Sequence, residues 1–419
     1  MSQLNIGLVT IALVVLVLGL VSKPIRESYV SSSIVALLIG VLISPPLLEL
    51  LDVTKWGNQE TIVEEAARLT LAIGLMGVAL RIPKGYAPQH WRSLGVMLGL
   101  VMPLMWLSSG LLVWWLLGLP FWVAMLIGAV VTPTDPVVAT DIVTGEVAKE
   151  NIPARLRHLI STESGLNDGL AYPLVFLGIL LLTRPTSEAL SHWIIRTVVW
   201  EVGFAIVFGV ALGYATGQFL KWAERKHFIG QQSFLSYTIA LSLLALGGGK
   251  LLGTDGILAV FVAGLVFDGI ASASEKSEEE QIQEAINRFF TLPIFVLLGL
   301  VLPWQEWWQL GWKGLALAIA VLLLRRLPAV LALRSLAHPL KTAADAWFVG
   351  WFGPIGVAAL YYAHVSLRET NIREVWVVSS LLIVVSILAH GITATPFSKL
   401  YGKHYIDRGK PEKQQAALR

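Results

Sequence analysis

Seven charged side chains stand inside otherwise apolar stretches of the chain: Asp135, Asp141, Glu163, Asp168, Glu201, Arg325 and Arg326. A charge in hydrocarbon is costly, so each is a functional candidate by default. The first chemistry lies in Thr132-Pro133-Thr134-Asp135-Pro136. Two prolines three residues apart remove two amide donors and crowd the preceding turn. A helix must break there and leave main-chain carbonyls without partners. Within a membrane such a break survives only where it is buried or lines a polar cavity. Free carbonyls, the Thr134 hydroxyl and the Asp135 carboxylate make an oxygen-rich spot suited to a hard alkali cation. A proline kink with satisfied polar groups would explain the prolines but has no need of the aspartate.

The second chemistry lies in Ser161-Thr162-Glu163-Ser164-Gly165-Leu166-Asn167-Asp168. Helical spacing puts Glu163 and Asn167 on one face, and Ser164 and Asp168 on the neighbouring face. One face offers a hydroxyl and a carboxylate to an ion; the other offers a carboxylate and an amide for structural contacts. An N-cap at Ser161–Thr162 with a first-turn acid would account for Glu163. It would not account for Asp168, more than a turn deeper. Arg325 and Arg326 lie in an apolar stretch just before Pro328. A buried guanidinium needs a buried anion, and Glu163 is the natural candidate. The alternative is that the arginines snorkel to the interface, a reading more open for Arg325 than for Arg326.

The elements that position these groups follow from composition. The chain is 55% hydrophobic and only 14% charged, against roughly a quarter charged in a soluble protein. Its mean hydropathy is +0.70. Apolar runs recur at 4–22, 28–45, 60–80, 93–117, 121–145, 158–183, 192–220, 232–249, 254–272, 285–303, 312–334, 343–364 and 374–398. Runs of about 18 residues or more can span a bilayer core. The expectation is an all-α polytopic membrane protein of about thirteen transmembrane helices. One integral domain covers 1–400, with a short basic tail over 401–419. The net charge of +3 does not indicate nucleic acid, because the basic residues sit in short loops between apolar runs. The absence of cysteine excludes disulfides and thiolate metal sites. The run Leu4–Val21 lacks a basic flank and a small-residue cleavage signal, so it reads as a retained helix.

Lysine and arginine accumulate on the cytoplasmic side of a membrane protein. With the N-terminus placed outside and the runs alternating, 21 of the 31 basic residues fall inside, 7 outside and 3 within spans. A miscounted helix would invert the bias downstream of the error, so the asymmetry supports the count. The C-terminus is then cytoplasmic and the protein a multi-pass protein of the plasma or inner membrane.

Many transporters consist of two inverted repeats whose broken helices meet at the binding site. With 192–220 set aside as a connector, repeats of about 1–183 and 232–398 pair the fifth span with the twelfth. The twelfth contains Trp351-Phe352-Gly353-Pro354-Ile355-Gly356, a second interruption. The most breakable helices thus occupy equivalent positions in the two halves.

These residues resemble the NhaP/NHE-type sodium/proton antiporters. Thr134-Asp135-Pro136 resembles that family's broken-helix motif, and Glu163-Ser164-x-x-Asn167-Asp168 its signature on helix six. The region from Arg326 to Val330 resembles the arginine helix, and Leu388-Ala389-His390-Gly391-x-Thr393 the closing helix. The resemblance implies that Asp168 is the titrating carboxylate, holding a cation or a proton. Thr134, Ser164 and Asp135 would surround the ion, Asn167 would bridge to the broken helix, and Glu163 would pair with Arg326. It also implies a homodimer and no cofactor. Many relatives carry an acid in helix three just before a glycine; here that stretch reads Leu75-Met76-Gly77-Val78. Glu64 and Glu65 lie near the opposite end of the span.

Asp168 with a neutral neighbour, Asn167, is expected to exchange one cation for one proton without responding to membrane potential. Sodium is the first candidate, with potassium and lithium open. The competing reading is a cation channel or a channel-like potassium efflux protein, but no filter-like repeat of carbonyl or carboxylate rings appears. A membrane enzyme is a third class. His390 lies deep in the last run, and the sequence contains no His/Glu metal cluster and no nucleophile elbow.

Overall fold

A computed structural model of the chain describes residues 2–20, 30–136, 138–228, 233–271 and 276–416. Lys23, Arg26, Ser274, the linker side chains up to Gln281, the Asp141 side chain and the tail side chains beyond His404 lie outside the described residues. Every described element is helical. In chain order they include α1 (Ser2–Leu20), α2 (Ser32–Ile43), α3 (Gln59–Arg81), α4 (Trp91–Leu117), α5 (Phe121–Val130), α6 (Thr140–Val143) and α7 (Gly145–Asn151). They continue with α8 (Ala154–Thr183), α9 (Thr186–Arg225), α10 (Ser233–Leu251), α11 (Gly256–Ile270) and α12 (Lys276–Leu300). The last are α13 (Trp304–Leu324), α14 (Leu327–Leu333), α15 (Ala343–Trp351), α16 (Val357–Thr370) and α17 (Arg373–Ala416).

Among the described residues, five helical runs are long and apolar enough to cross a hydrocarbon core: Trp91–Leu117, Ala154–Thr183, Thr186–Arg225, Trp304–Leu336 and Arg373–His404. Shorter apolar helices of 10–17 residues accompany them. Two of the short helices, α5 and α15, are halves of interrupted runs. α5 stops at Val130, just before Pro133 and Pro136, and helix resumes only at Thr140. α15 stops at Trp351, and α16 resumes at Val357 after the Gly-Pro-Ile-Gly stretch. Pro328 sets a further interruption: α13 ends at Leu324, and α14 opens with the proline in its first turn. A proline there is tolerated because first-turn amides need no intrahelical partner. In α4 a wide turn at Met97–Val101 precedes Pro103, absorbing the lost amide and the ring's bulk.

The spans expected at 60–80, 93–117 and 158–183 correspond closely to α3, α4 and α8. A short helical stretch over 304–310 precedes the run expected to begin at 312, and Gly311, at φ 56° and ψ −144°, breaks one from the other. Polar Gln305, Glu306 and Gln309 hid that first stretch from a hydropathy reading. α17 continues past 398, to Ala416.

Packing brings the two interrupted stretches together. α4 packs on α5, and α14 on α15, while α16 contacts α3, α5 and α8. α2 and α12 cross closely enough that a Cβ on Gly40 would sit 2.1 Å from the Val296 carbonyl oxygen. Small residues permit such approach where no hydrophobic force acts between helices in lipid.

Candidate functional site

The break after α5 carries Thr134 and Asp135, both fully buried. Its opposite number is the break before α16. The Asp135 amide donates to the Pro354 carbonyl at 2.8 Å. One Asp135 carboxylate oxygen accepts from the Val138 amide at 3.2 Å, and the other accepts from the Val357 amide. Asp135 therefore caps the first turn of α16, where an orphan amide and the helix dipole both favour a negative group. Gly356 makes this possible. A Cβ there would lie 2.0 Å from the Asp135 oxygen.

Thr134 joins the same break to α8. Its amide donates to Asn167 Oδ1 at 3.0 Å, and Asn167 Nδ2 donates to Thr134 Oγ1 at 2.7 Å. The Thr134 and Ser164 hydroxyls are 2.9 Å apart. Asn167 Nδ2 also donates to Glu163 Oε1 at 3.0 Å, one helical turn away on the same face. Glu163 in turn accepts a two-pronged contact from Arg326, at 2.8 Å from Nη1 and 2.9 Å from Nη2. Arg326 Nε donates to the Val349 carbonyl of α15 at 3.1 Å. The planar fork of arginine matches a carboxylate in this way, which a lysine cannot.

Arg325 has a different task, which sequence reasoning left open. It is buried and does not snorkel. Nη1 donates to the carbonyls of Val131 and Thr132 at 2.6 and 3.1 Å, and Nη2 donates to the Gly353 carbonyl. One guanidinium thus satisfies carbonyls freed by both breaks. Its signal in the sequence was the adjacency to Arg326 ahead of Pro328. Ser386 and His390 of α17 were also not assigned a part. Ser386 Oγ accepts from the Ile355 amide at 2.7 Å, and His390 Nε2 sits 2.9 Å from the Trp351 carbonyl. They hold the second break from behind.

Asp168 lies on α8 between these contacts and is fully buried. Neither carboxylate oxygen receives a hydrogen bond from the described residues. The Tyr362 hydroxyl donates to its main-chain carbonyl at 2.7 Å, not to the side chain. The Asp135 and Glu163 carboxylates are near enough to act on it electrostatically. Of the five buried charged side chains here, three are acidic and two basic. A fully ionised site is one positive charge short, and a single proton or monovalent cation would supply it. α3 adds no acid: Glu64 pairs with Arg368 at its far end, and Gly77 is covered by the Asn287 amide.

Residues 9–400 match the family model described as "Sodium/hydrogen exchanger, transmembrane". The chain belongs to the sodium/hydrogen exchanger family. Within that family it is 34% identical over 407 residues to Na(+)/H(+) antiporter 2 of Zygosaccharomyces rouxii, covering 90% of this chain and 50% of the yeast protein. It is 31% identical over 395 residues to the Na(+)/H(+) antiporter of Schizosaccharomyces pombe, covering 88% and 84% respectively. The chain therefore spans about half the length of the first of these exchangers. Among solved structures it resembles the sodium proton antiporter MjNhaP1 of Methanocaldococcus jannaschii with a TM-score of 0.72, over 96% of this chain and 100% of that one, at 20% identity. That likeness shows an exchanger fold: an all-helical, multi-pass membrane architecture.

Proposed function

We propose that this exchanger-family chain is a secondary transporter, not an enzyme, that exchanges a monovalent cation for a proton by competition at Asp168. The observation that carries the reading is the Asp168 carboxylate, fully buried and without a hydrogen-bond donor among the described residues. A buried carboxylate left alone is costly, and a proton or a coordinated cation relieves that cost. The two ligands occupy the same oxygens, so one leaves only as the other arrives. Sodium is the first candidate cation, potassium and lithium the others, and no cofactor is needed.

The finer architecture belongs to the same reading. Thirteen spans form two inverted repeats, 1–183 and 232–398, about the connector 192–220. Reciprocal packing supports this: α2 lies on α12 as α3 lies on α11, and α4 lies on α5 as α14 lies on α15. The C-terminus is cytoplasmic and the N-terminus outside, in a plasma or inner membrane. Two copies associate as a homodimer, a reading supported by the apolar face that α9 leaves exposed at Ile195, Val199 and Val207.

Cation-driven proton movement in proteoliposomes tests the function. Asp168→Asn should abolish it while the protein stays folded. In the wild type the apparent KM for the cation should rise as pH falls, by up to about tenfold per unit where the proton holds the site. Undiminished exchange by Asp168→Asn would overturn the proposal.

A further inference from the structure

Glu201 is a charged residue of the apolar runs that the Asp168 site does not use. It lies on α9 beside Asp255, whose amide donates to the Glu201 carbonyl at 2.9 Å. Asp255 is only 3% exposed. Its Oδ1 caps α11, accepting from the Ile257 and Leu258 amides at 3.0 and 3.3 Å. Its Oδ2 receives no hydrogen bond from the described residues, and the Glu201 carboxylate lies within electrostatic reach of it. Glu201 Oε1 accepts from Arg196 Nε at 3.1 Å, whereas Oε2 is buried and likewise receives none. Helix capping and the Arg196 pair therefore explain one oxygen of each carboxylate and leave the other unexplained. The Tyr172 hydroxyl lies within hydrogen-bonding reach of the Glu201 carboxylate. Lys250 is the nearby cation that acts on Asp255, and the Glu64–Arg368 pair lies beyond Tyr361.

The position of this group relative to Asp168 matters. Tyr172 follows Asp168 by one turn on α8, about 6 Å along the axis, in the direction away from Glu163. Tyr362 joins the two places: its hydroxyl donates to the Asp168 carbonyl, and it lies within electrostatic reach of Asp255. Two carboxylate oxygens and a phenol oxygen are hard donors of the kind an alkali cation takes.

We propose that Glu201, Asp255 and Tyr172 form a second monovalent-cation station, on the path between Asp168 and the membrane face at the Arg184 end of α8. This rests on the antiport reading for its role in transport, but not for its capacity to bind. Glu201→Gln and Asp255→Asn remove charge with little change of shape, and asparagine caps a helix as well as aspartate does. In proteoliposomes of known orientation, each variant should raise the sodium KM at the Arg184 face roughly tenfold, as expected for loss of a close charge. The KM at the opposite face should move less than about twofold. An unchanged KM at the Arg184 face, or an equal shift at both faces, overturns the proposal. Thallium(I) binding to purified protein separates the two readings. Asp168→Asn should still bind the ion, and adding Glu201→Gln should remove that binding. If Asp168→Asn binds no thallium(I), the second station does not exist. If binding behaves as expected but the wild type moves no protons, the antiport reading alone fails.

Discussion

The Asp135 carboxylate, held in the break after α5, accepts the Val357 amide that opens α16. Two residues from opposite halves of the chain thus share one cap, and the breaks are joined by it and by the contact of Asp135 with the Pro354 carbonyl. The joint depends on Gly356, which leaves room for the carboxylate. Gly356→Ala should displace Asp135 and abolish cation-driven proton movement. Asp135→Ala should lower stability by about 1–3 kcal/mol, since it leaves a buried amide unsatisfied. Asp135→Asn, which keeps an acceptor, should lose less. Thermal unfolding in detergent measures both, and equal losses would refute the capping role.

The two arginines should behave differently in double-mutant cycles. Arg326→Ala leaves the Glu163 charge buried and unpaired, at a cost of about 3–5 kcal/mol. Combining it with Glu163→Gln should recover a substantial part of that loss. Arg325→Ala should also destabilise, because it strands the carbonyls of Val131, Thr132 and Gly353. Its effect should add to that of Glu163→Gln without recovery. Coupling of Glu163 to Arg325 in place of Arg326 would contradict the assignment.

Transport should be electroneutral. With Asn167 beside Asp168 and Asp135 engaged as a helix cap, one carboxylate should carry the exchange, one cation for one proton. A potential imposed with valinomycin and a potassium gradient should leave the sodium-driven rate unchanged. A rate that follows the sign of the potential would show a second titrating group.

The tail beyond Lys399 should lie in the cytoplasm, as the distribution of basic residues indicates. Reporters fused after Arg419 that are active only in the cytoplasm should light up, and those that mature only outside should stay silent. The reverse pattern would invert the whole topology.

Much of the site was legible in the sequence because its determinants are local. Pro133 and Pro136 withdraw two amides within one turn, where the single Pro103 of α4 withdraws one, so the interruption after α5 is visible in the sequence. The pairing of Glu163 with Asn167 follows from the helical repeat, and the two are in hydrogen-bond contact at 3.0 Å. The long apolar runs likewise dictate helix, because lipid offers the main chain no other partner. Arg325 and Arg326 mark where local reasoning ends. Adjacent residues on a helix point about 100° apart, and which of them meets Glu163 depends on how α13 and α14 are rotated against α4 and α8. Packing across distant segments sets that rotation, as it sets the meeting of Asp135 with Val357. The isolation of Asp168 is likewise a tertiary property. Its burial could be read from the apolar run around it, but the absence of a donor depends on which side chains the other helices turn toward it.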